Sequence, residues 1–381
     1  MLHETENLII GAGPAGLAMA GRFSRQNIPY ILVEQREQIT PAWYDHYERV
    51  HLHTVKQFSH LPFKPFPENF GTYVPRKDLL AYYEAYAQEM NIRPQFGQEI
   101  IRVWQEKGRW NALTRQGNTY LADRVIVCTG FNRRAVEPEW PGKAQFEGEI
   151  FHSRHYKNGK AWAGKKVLVV GMGNSGAEIA IDLHEHGAET ALSVRGPVNV
   201  VLRDVFGRPT QTTAMLLRKL PNWLGDALGS FLSRVTVGDL SPYGLKRLDM
   251  APAKQLRVYG KTPVIDVGTV ALVRAGKIKV FPAIDHFEAR EVAFTNGQKQ
   301  AFDMVLLATG YRAAVEEFIT DTSGIFNELG LPAANWSDAH PGLYFLGFDA
   351  YASGILHSIY LDSEKIIQHI MTRQANPVPS L

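Results

Sequence analysis

Two short stretches of this 381-residue chain carry the residue types that could cradle a dinucleotide. The first, NLIIGAGPAGLAMA over residues 7–20, reads as an apolar strand, then Gly11, Gly13 and Gly16, then the start of a helix. The second, VLVVGMGNSGAEIA over 167–180, repeats the pattern with Gly171, Gly173 and Gly176. In each, the first glycine permits the tight turn. The second lets the backbone approach a pyrophosphate, and the third lets the helix pack on the strand. Free N–H groups at the helix start then face the anion. Pro14 and Ala15 complete the first loop; Asn174 and Ser175 complete the second.

The strands that follow end differently. PYILVEQ closes on Glu34, 18 residues after Gly16, with Gln35 behind it. A carboxylate there accepts hydrogen bonds from ribose hydroxyls. TALSVR closes on Arg195, 19 residues after Gly176, with Ser193 two before it. A carboxylate would repel a 2′-phosphate, whereas arginine pairs with one. The first cradle therefore suits FAD and the second NADPH, an arrangement for moving a hydride between them.

The elements around the cradles support two related halves. RVIVCTGF (124–131) and MVLLATGY (304–311) are apolar runs that end in Thr129–Gly130 and Thr309–Gly310, both read as cofactor contacts. MVLLATGY is expected to rejoin the first sheet. Asp78 is read as the cap of a helix, DLLAYYEAYAQEM, that carries Leu79, Tyr83, Tyr86 and Met90 on one face. Strands follow at 95–115, with Ile100 placed at the cofactor. The first glycines of the two cradles lie 160 residues apart, which reads as a duplicated nucleotide fold. The expected fold class is α/β, with two nested Rossmann-like dinucleotide-binding domains: an FAD domain (1–158 and 285–381) holding an inserted NADPH domain (159–284). Within the insertion, 205–250 is rich in Pro, Gly, Leu and Trp and is read as a helical lid, with a membrane-surface amphipathic helix as the other reading.

Composition excludes several classes. With 41 basic and 38 acidic residues the charge is too balanced to point to nucleic acid. The single cysteine, Cys128, forbids an intrachain disulfide and a C-x-x-C redox pair. It lies in an apolar run and reads as an inert core residue in a protein of a reducing, cytoplasmic compartment. MLHETENLII lacks the basic start of a signal peptide, and no run reaches the roughly 18 apolar residues of a membrane span, so no stable membrane insertion is expected. His152 and His155 have an H-x-x-H spacing but no acidic or cysteine partner, so no metal is expected.

Between the cradles, FEGEIFHSRHY (146–156) has the pattern F-x-G-x-x-x-H-x-x-x-Y in Phe146, Gly148, His152 and Tyr156. It resembles the identifying motif of the flavin-containing monooxygenases. Their Baeyer–Villiger relatives typically end the motif with Trp followed by Pro or Asp, whereas here Tyr156 is followed by Lys157. ATGY (308–311) resembles a late motif of the same family. GMGNSGAEIAIDL, SVRGPV, VFGR, GLKR, GKTPVIDVGT (260–269) and LHTVKQFSHLPFKPFP (52–67) are similar to the plant YUCCA enzymes, over roughly residues 1–350.

This resemblance implies a YUCCA-type monooxygenase that uses FAD, NADPH and O2. O2 adds at flavin C4a, and the resulting peroxide converts indole-3-pyruvate to indole-3-acetate while bound NADP⁺ shields it. Asn174 is read as taking part in catalysis and Val55 as lying at the flavin; Trp43 is read as covering part of the FAD, with a core aromatic as its other reading. His53 stands where the wider family has an asparagine three residues before a lysine, here Lys56. It has two readings: a group that bonds the peroxide, or a structural histidine on a strand RVHLH, alternating with His51. The C-terminal FLGFDAYASGILHSIYLDSEKI departs from the plant pattern through Asp349, Tyr351, His357 and Tyr360, which leaves the substrate open. Lys56, Arg203, Arg208 and Arg312 are candidates for a substrate carboxylate. The other functions kept open are N- or S-oxygenation and an NADPH-dependent flavin reductase acting on quinones. The expected partners are a small-molecule substrate and O2; a homodimer is also left open.

Overall fold

The computed structural model describes residues 1–320, 323–349 and 353–375, and divides into two units. The first comprises Met1–Tyr44, Lys56–Arg134 and the chain from Arg312 onward. Its central strand, Leu2–Ile10, pairs in parallel with Ile31–Val33 on one side and Thr119–Val127 on the other. The first part of Thr119–Val127 also pairs antiparallel with Arg109–Thr114, which in turn pairs with Ile100–Glu106. Its end pairs in parallel with Leu343–Phe345. Leu8, Ile9 and Val125–Val127 are fully buried, the continuous apolar run that a parallel strand covered on both faces requires.

The helix Pro14–Arg25 packs on the C-terminal helix Ile355–Ala375. Arg22 joins the two. Its buried guanidinium donates to the Tyr360 carbonyl at 2.9 Å and Ser363 Oγ at 2.8 Å, and pairs with Glu364. Burial lowers its pKa and Glu364 opposes the shift. The helix expected near Asp78 runs from Arg76 to Glu89 with Pro75, not Asp78, at its N-cap. Asp78 sits in the first turn, where a carboxylate meets the positive end of the helix dipole. Leu79, Tyr83, Tyr86 and Met90 are all buried, as their common face requires.

The second unit comprises Asp45–Val55 and Ala135–Tyr311, wider than the expected 159–284 insertion. Its sheet is all parallel, in the order Lys279–Phe281, Glu189–Ser193, Lys166–Val170, Met304–Leu307, Glu149–His152. The placement of Met304–Leu307 corrects the expectation that MVLLATGY rejoins the first sheet. All four of its residues are buried, and it has strand partners on both edges within this sheet. Asp303 fixes the register, its backbone N–H donating to the Lys166 carbonyl and its carboxylate accepting the Lys166 N–H at 2.7 Å. Leu343–Phe345 is the strand that rejoins the first sheet instead. The nested topology holds with shifted boundaries.

The stretch expected as a lid, 205–250, contains the tip of a hairpin, Asp204–Val205 with Arg208–Pro209, and the helices Thr210–Leu217 and Asn222–Val237. RVHLH is not a regular strand. Among the described residues no helix is long and apolar enough to cross a membrane.

The first half of the 146–156 motif is explained by packing in this unit. Phe146 meets the Phe287 ring edge-on at 5.3 Å. A Cβ on Gly148 would lie 2.8 Å from the Asp303 carbonyl oxygen and 2.5 Å from the Phe146 ring. Gly148→Ala should therefore destabilise the protein by about 1–3 kcal/mol, the cost of overpacking a filled site. Denaturant titration checks this, and an unchanged midpoint would refute the packing role.

Candidate functional site

The two cradles are built alike. Gly11 and Gly171 have φ of +103° and +102°, a region that side chains disfavour. A Cβ on Gly11 would lie 2.8 Å from the Cys128 carbonyl oxygen, and one on Gly171 would lie 2.6 Å from that of Ala308. The Thr-Gly turns expected as cofactor contacts therefore begin directly beside the first glycines. The third glycines pack as tightly: a Cβ on Gly16 or Gly176 would lie 1.9 or 2.1 Å from the carbonyl oxygen of Gly11 or Gly171.

The second glycines differ from both. Gly13 and Gly173 have ordinary φ of −74° and −89°, and nothing lies within 4 Å of a Cβ placed on either. No contact among the described residues requires glycine there. A ligand pressed against the backbone does, and each position is the N-cap of a helix whose first N–H groups are free for an anion. A pyrophosphate fits both places.

Around the first cradle Glu34 is buried, its carboxylate accepting the Ala12 N–H at 2.9 Å and the Arg36 N–H at 3.0 Å. Burial raises its pKa and these N–H groups oppose the rise. Gln35 is exposed. Two buried hydroxyls close to this cradle, Thr40 Oγ1 and Thr129 Oγ1, have no hydrogen-bond partner among the described residues. Thr40 is tied to the loop through its backbone N–H, which donates to the Ala12 carbonyl at 2.9 Å. Thr129 Cα lies 3.5 Å from the Cβ position of Gly11. Buried hydroxyls are rarely left unpaired, and a bound polar molecule would satisfy both. Thr129 was expected. Thr40 was missed, because nothing in the local sequence distinguishes it.

The second cradle treats the ribose end differently. Gly11 N–H donates to the Val33 carbonyl and Gly171 N–H to the Ser193 carbonyl, so Val194 stands where the first unit has Glu34. Val194 is buried and apolar, and Arg195 beyond it is exposed, with no ion pair among the described residues. The Ser193 hydroxyl donates to the Pro282 carbonyl at 2.7 Å, which leaves its oxygen as an acceptor only. Thr309 lies beside this cradle and donates to the Val136 carbonyl at 2.5 Å; Gly310 has φ of +85°. Asn174 Oδ1 accepts the Ile265 N–H at 2.8 Å, holding the GKTPVIDVGT segment against the helix start.

The helix that opens the second cradle, Asn174–Glu185, carries two buried carboxylates one turn apart, Glu178 and Asp182. His53 Nε2 bonds Glu178 Oε1, and Tyr47 donates to Glu178 Oε2 at 3.2 Å while also bonding Ser175. Burial, with Glu178 adding to it, raises the Tyr47 pKa well above its ordinary value. His53 is thus held with Nε2–H as donor, and Nδ1 has no hydrogen bond among the described residues. Tyr156 donates to Asp182 at 2.6 Å; burial and Asp182 raise its pKa. His152 completes the motif. Its Nδ1 accepts the Arg154 N–H and its Nε2 donates to the Gly310 carbonyl, both at 3.1 Å, which fixes a neutral tautomer.

Other expected residues have packing or hydrogen-bonding roles within the fold. Ile100 belongs to the first unit's core and Val55 is buried, its N–H donating to Gln211 at 2.7 Å. Trp43 is half-buried, and its carbonyl accepts from Arg76 at 2.7 Å. Lys56 donates to the Glu68 and Phe70 carbonyls, Arg203 pairs with Asp204, and Arg312 bonds Glu316. Arg208 is exposed on the hairpin. His357 and Tyr360 belong to an aromatic cluster: Phe58 meets His357 at 5.3 Å and His60 meets Tyr360 at 5.4 Å. Asp349 is half-buried, and burial raises its pKa. Tyr351 lies outside the described residues.

A sequence model of the flavin-binding monooxygenase-like family matches residues 31–324. The chain is 38% identical over 378 residues to a probable indole-3-pyruvate monooxygenase, YUCCA8 of Arabidopsis thaliana, covering 95% of this chain and 88% of that one. It is 37% identical over 348 residues to indole-3-pyruvate monooxygenase YUCCA1 of Oryza sativa subsp. japonica, covering 90% and 86%. Among solved structures it resembles a flavin-containing monooxygenase from Stenotrophomonas maltophilia, with TM-score 0.73 and 22% identity over 97% of this chain and 99% of that one. It also resembles the NADP⁺-bound cyclohexanone monooxygenase from Rhodococcus sp. Phi1, with TM-score 0.75 and 18% identity over 100% and 87%.

The glycine geometry separates two substitutions. Gly13→Ala should leave the flavin-free protein as stable as the parent yet lower its flavin content. Gly16→Ala should lose more than about 1 kcal/mol of stability with or without flavin. Thermal melts and visible absorbance of both proteins decide, and equal behaviour would refute the distinction.

His152 generates a pH effect. Burial outweighs its bond to Gly310 and holds its pKa below 6.5. As pH falls through about 6.5, the unfolded chain takes up a proton that the native site resists. Stability from this group is therefore full above that value and declines below it, levelling off under the native pKa. His152→Gln should flatten the fall in melting temperature between about pH 7.5 and 5.5. An unchanged slope would show that His152 contributes nothing to it.

Proposed function

The chain belongs to the flavin-binding monooxygenase-like family, and from that premise we propose an NADPH- and O2-dependent enzyme that oxidatively decarboxylates indole-3-pyruvate or a similar aryl 2-oxo acid. The balanced reaction consumes one 2-oxo acid, one O2, one NADPH and one proton. It yields the one-carbon-shorter acid, CO2, NADP⁺ and water. Support for the cofactors comes from the contrast between the cradles: a buried Glu34 at the ribose position of one, an apolar Val194 followed by Arg195 in the other. Support for the substrate class comes from the 37–38% identity to indole-3-pyruvate monooxygenases over nine-tenths of the chain. The departure of His357 and Tyr360 from the plant pattern is accounted for by aromatic packing, which weakens it as an argument for a different substrate.

When bound, FAD supplies electron transfer from NADPH to O2 and delivery of one oxygen atom. In this reading the protein binds and orients. Gly13 admits the FAD pyrophosphate, Glu34 accepts from its ribose, and Thr129 and Thr40 offer hydroxyls. Gly173 and the start of the 174–185 helix take the NADPH pyrophosphate, and Arg195 pairs with the 2′-phosphate. Glu178 takes the Nε2–H of His53 and so leaves Nδ1 as the ring nitrogen that can meet a bound ligand.

Incubation with NADPH, O2 and indole-3-pyruvate, with catalase present, should give indole-3-acetate in step with NADPH use. Acetate no higher than in the enzyme-free control, with a thioether or amine oxygenated instead, would replace this substrate class. NADPH oxidation supported only by a quinone would replace the reaction. Arg195→Ala should raise KM for NADPH about ten- to a hundredfold and leave KM for NADH nearly unchanged, the loss of one charge-assisted pair. Equal loss for both nucleotides would remove Arg195 from the phosphate.

A further inference from the structure

Ten of the eighteen large hydrophobic side chains exposed among the described residues fall between Phe206 and Tyr259. The helix Asn222–Val237 is the clearest part of this surface. Of its 16 residues only Ser233 and Val237 are buried. Trp223, Phe231 and Val235 are 73%, 66% and 62% exposed, and with Ala227 they form an i, i+4 stripe. Ser230 and Arg234 form the neighbouring row. The helix packs against Thr210–Leu217 and Pro252–Tyr259, which add exposed Leu216, Val258 and Tyr259. Phe206, 89% exposed, stands at the tip of the 204–209 hairpin with φ of +51°.

Charge is segregated onto the same segment. Residues 205–261 hold nine Lys and Arg against three Asp and no Glu, in a chain whose whole net charge is +3. Ser230 and Arg234 also line a cleft of about 380 Å³ with Arg247, Lys254 and Asp249. Arg247 is half-buried there, donating to Ser233 Oγ at 3.0 Å and the Gly238 carbonyl at 2.9 Å. An apolar stripe bordered by a cationic cleft matches acyl chains bordered by anionic headgroups.

We infer that this face docks the protein on anionic phospholipid bilayers, with the Asn222–Val237 helix lying in the headgroup–acyl boundary and Arg234 and Lys254 facing lipid phosphates. Aromatic and aliphatic side chains enter the interface while the flanking cations stay at headgroup level. The excess positive charge adds attraction that salt screens. This inference goes beyond the proposed reaction and does not depend on it.

The test is flotation of the holoenzyme with vesicles of phosphatidylcholine alone and with one third phosphatidylglycerol. Binding to the anionic vesicles is expected to be more than about tenfold stronger and to weaken with salt. Trp223→Glu with Phe231→Glu, and separately Arg234→Glu with Lys254→Glu, should each lower the partition about tenfold or more. Flavin content and NADPH oxidation should remain at the parent level in both. No binding to anionic vesicles, or equal binding to both kinds, overturns the inference. So does a monomer–dimer equilibrium abolished by the Trp223/Phe231 pair without any vesicle binding, which would make the face an interface between copies. Binding of inorganic phosphate in the cleft without vesicle binding would leave an anion site only and overturn it as well.

Discussion

The structure depends on one close approach made twice. At Gly11 and Gly171 the chain leaves a central strand so near to the end of a neighbouring strand that a Cβ would lie 2.8 or 2.6 Å from a carbonyl oxygen. The turn this permits starts the helix at once, brings the third glycine onto the first, and leaves helix N–H groups pointing out of the sheet. The second glycine then faces open space. One steric constraint thus sets the strand–helix turn of each unit and leaves backbone without a side chain at each helix start.

In the second unit the helix that starts at this turn is also the anchor for the surrounding chain. Buried carboxylates are costly unless paired and hydrogen-bonded, and Glu178 and Asp182 are bonded by Tyr47, His53 and Tyr156 from two other segments. The motif at 146–156 therefore acts as a brace. Phe146 and Gly148 fit the core, His152 holds the turn at Gly310, and Tyr156 holds the helix. Tyr156 of the motif and His53 thus meet the same helix one turn apart, at Asp182 and Glu178.

Much of this was legible in the sequence because it is local. Glycine spacing, helix starts and the Glu34/Arg195 contrast are set by residues within one βαβ unit, and both cradles lie where the pattern put them. The sheet holding Met304–Leu307 was not legible: an apolar run ending in Thr-Gly fits either sheet, and the choice is made by pairing with strands more than a hundred residues away. The partner of the Ser193 hydroxyl, the Pro282 carbonyl, is 89 residues off and equally invisible in the local sequence. Glu178 looked like any helical glutamate, since its burial depends on Tyr47 and His53 folding over it from 131 and 125 positions earlier. Thr40 gave no local signal, and its unpaired hydroxyl appears only in the folded loop.

The central claim is that the two cradles hold different dinucleotides at once, FAD in the first and the nicotinamide cofactor in the second. Native mass spectrometry of the purified protein with added NADP⁺ measures this directly. The account predicts one FAD and one NADP⁺ per chain, and a Gly173→Ala protein that keeps FAD while losing NADP⁺. A Gly173→Ala protein that loses FAD and retains NADP⁺, or a parent chain carrying two molecules of FAD, would contradict it.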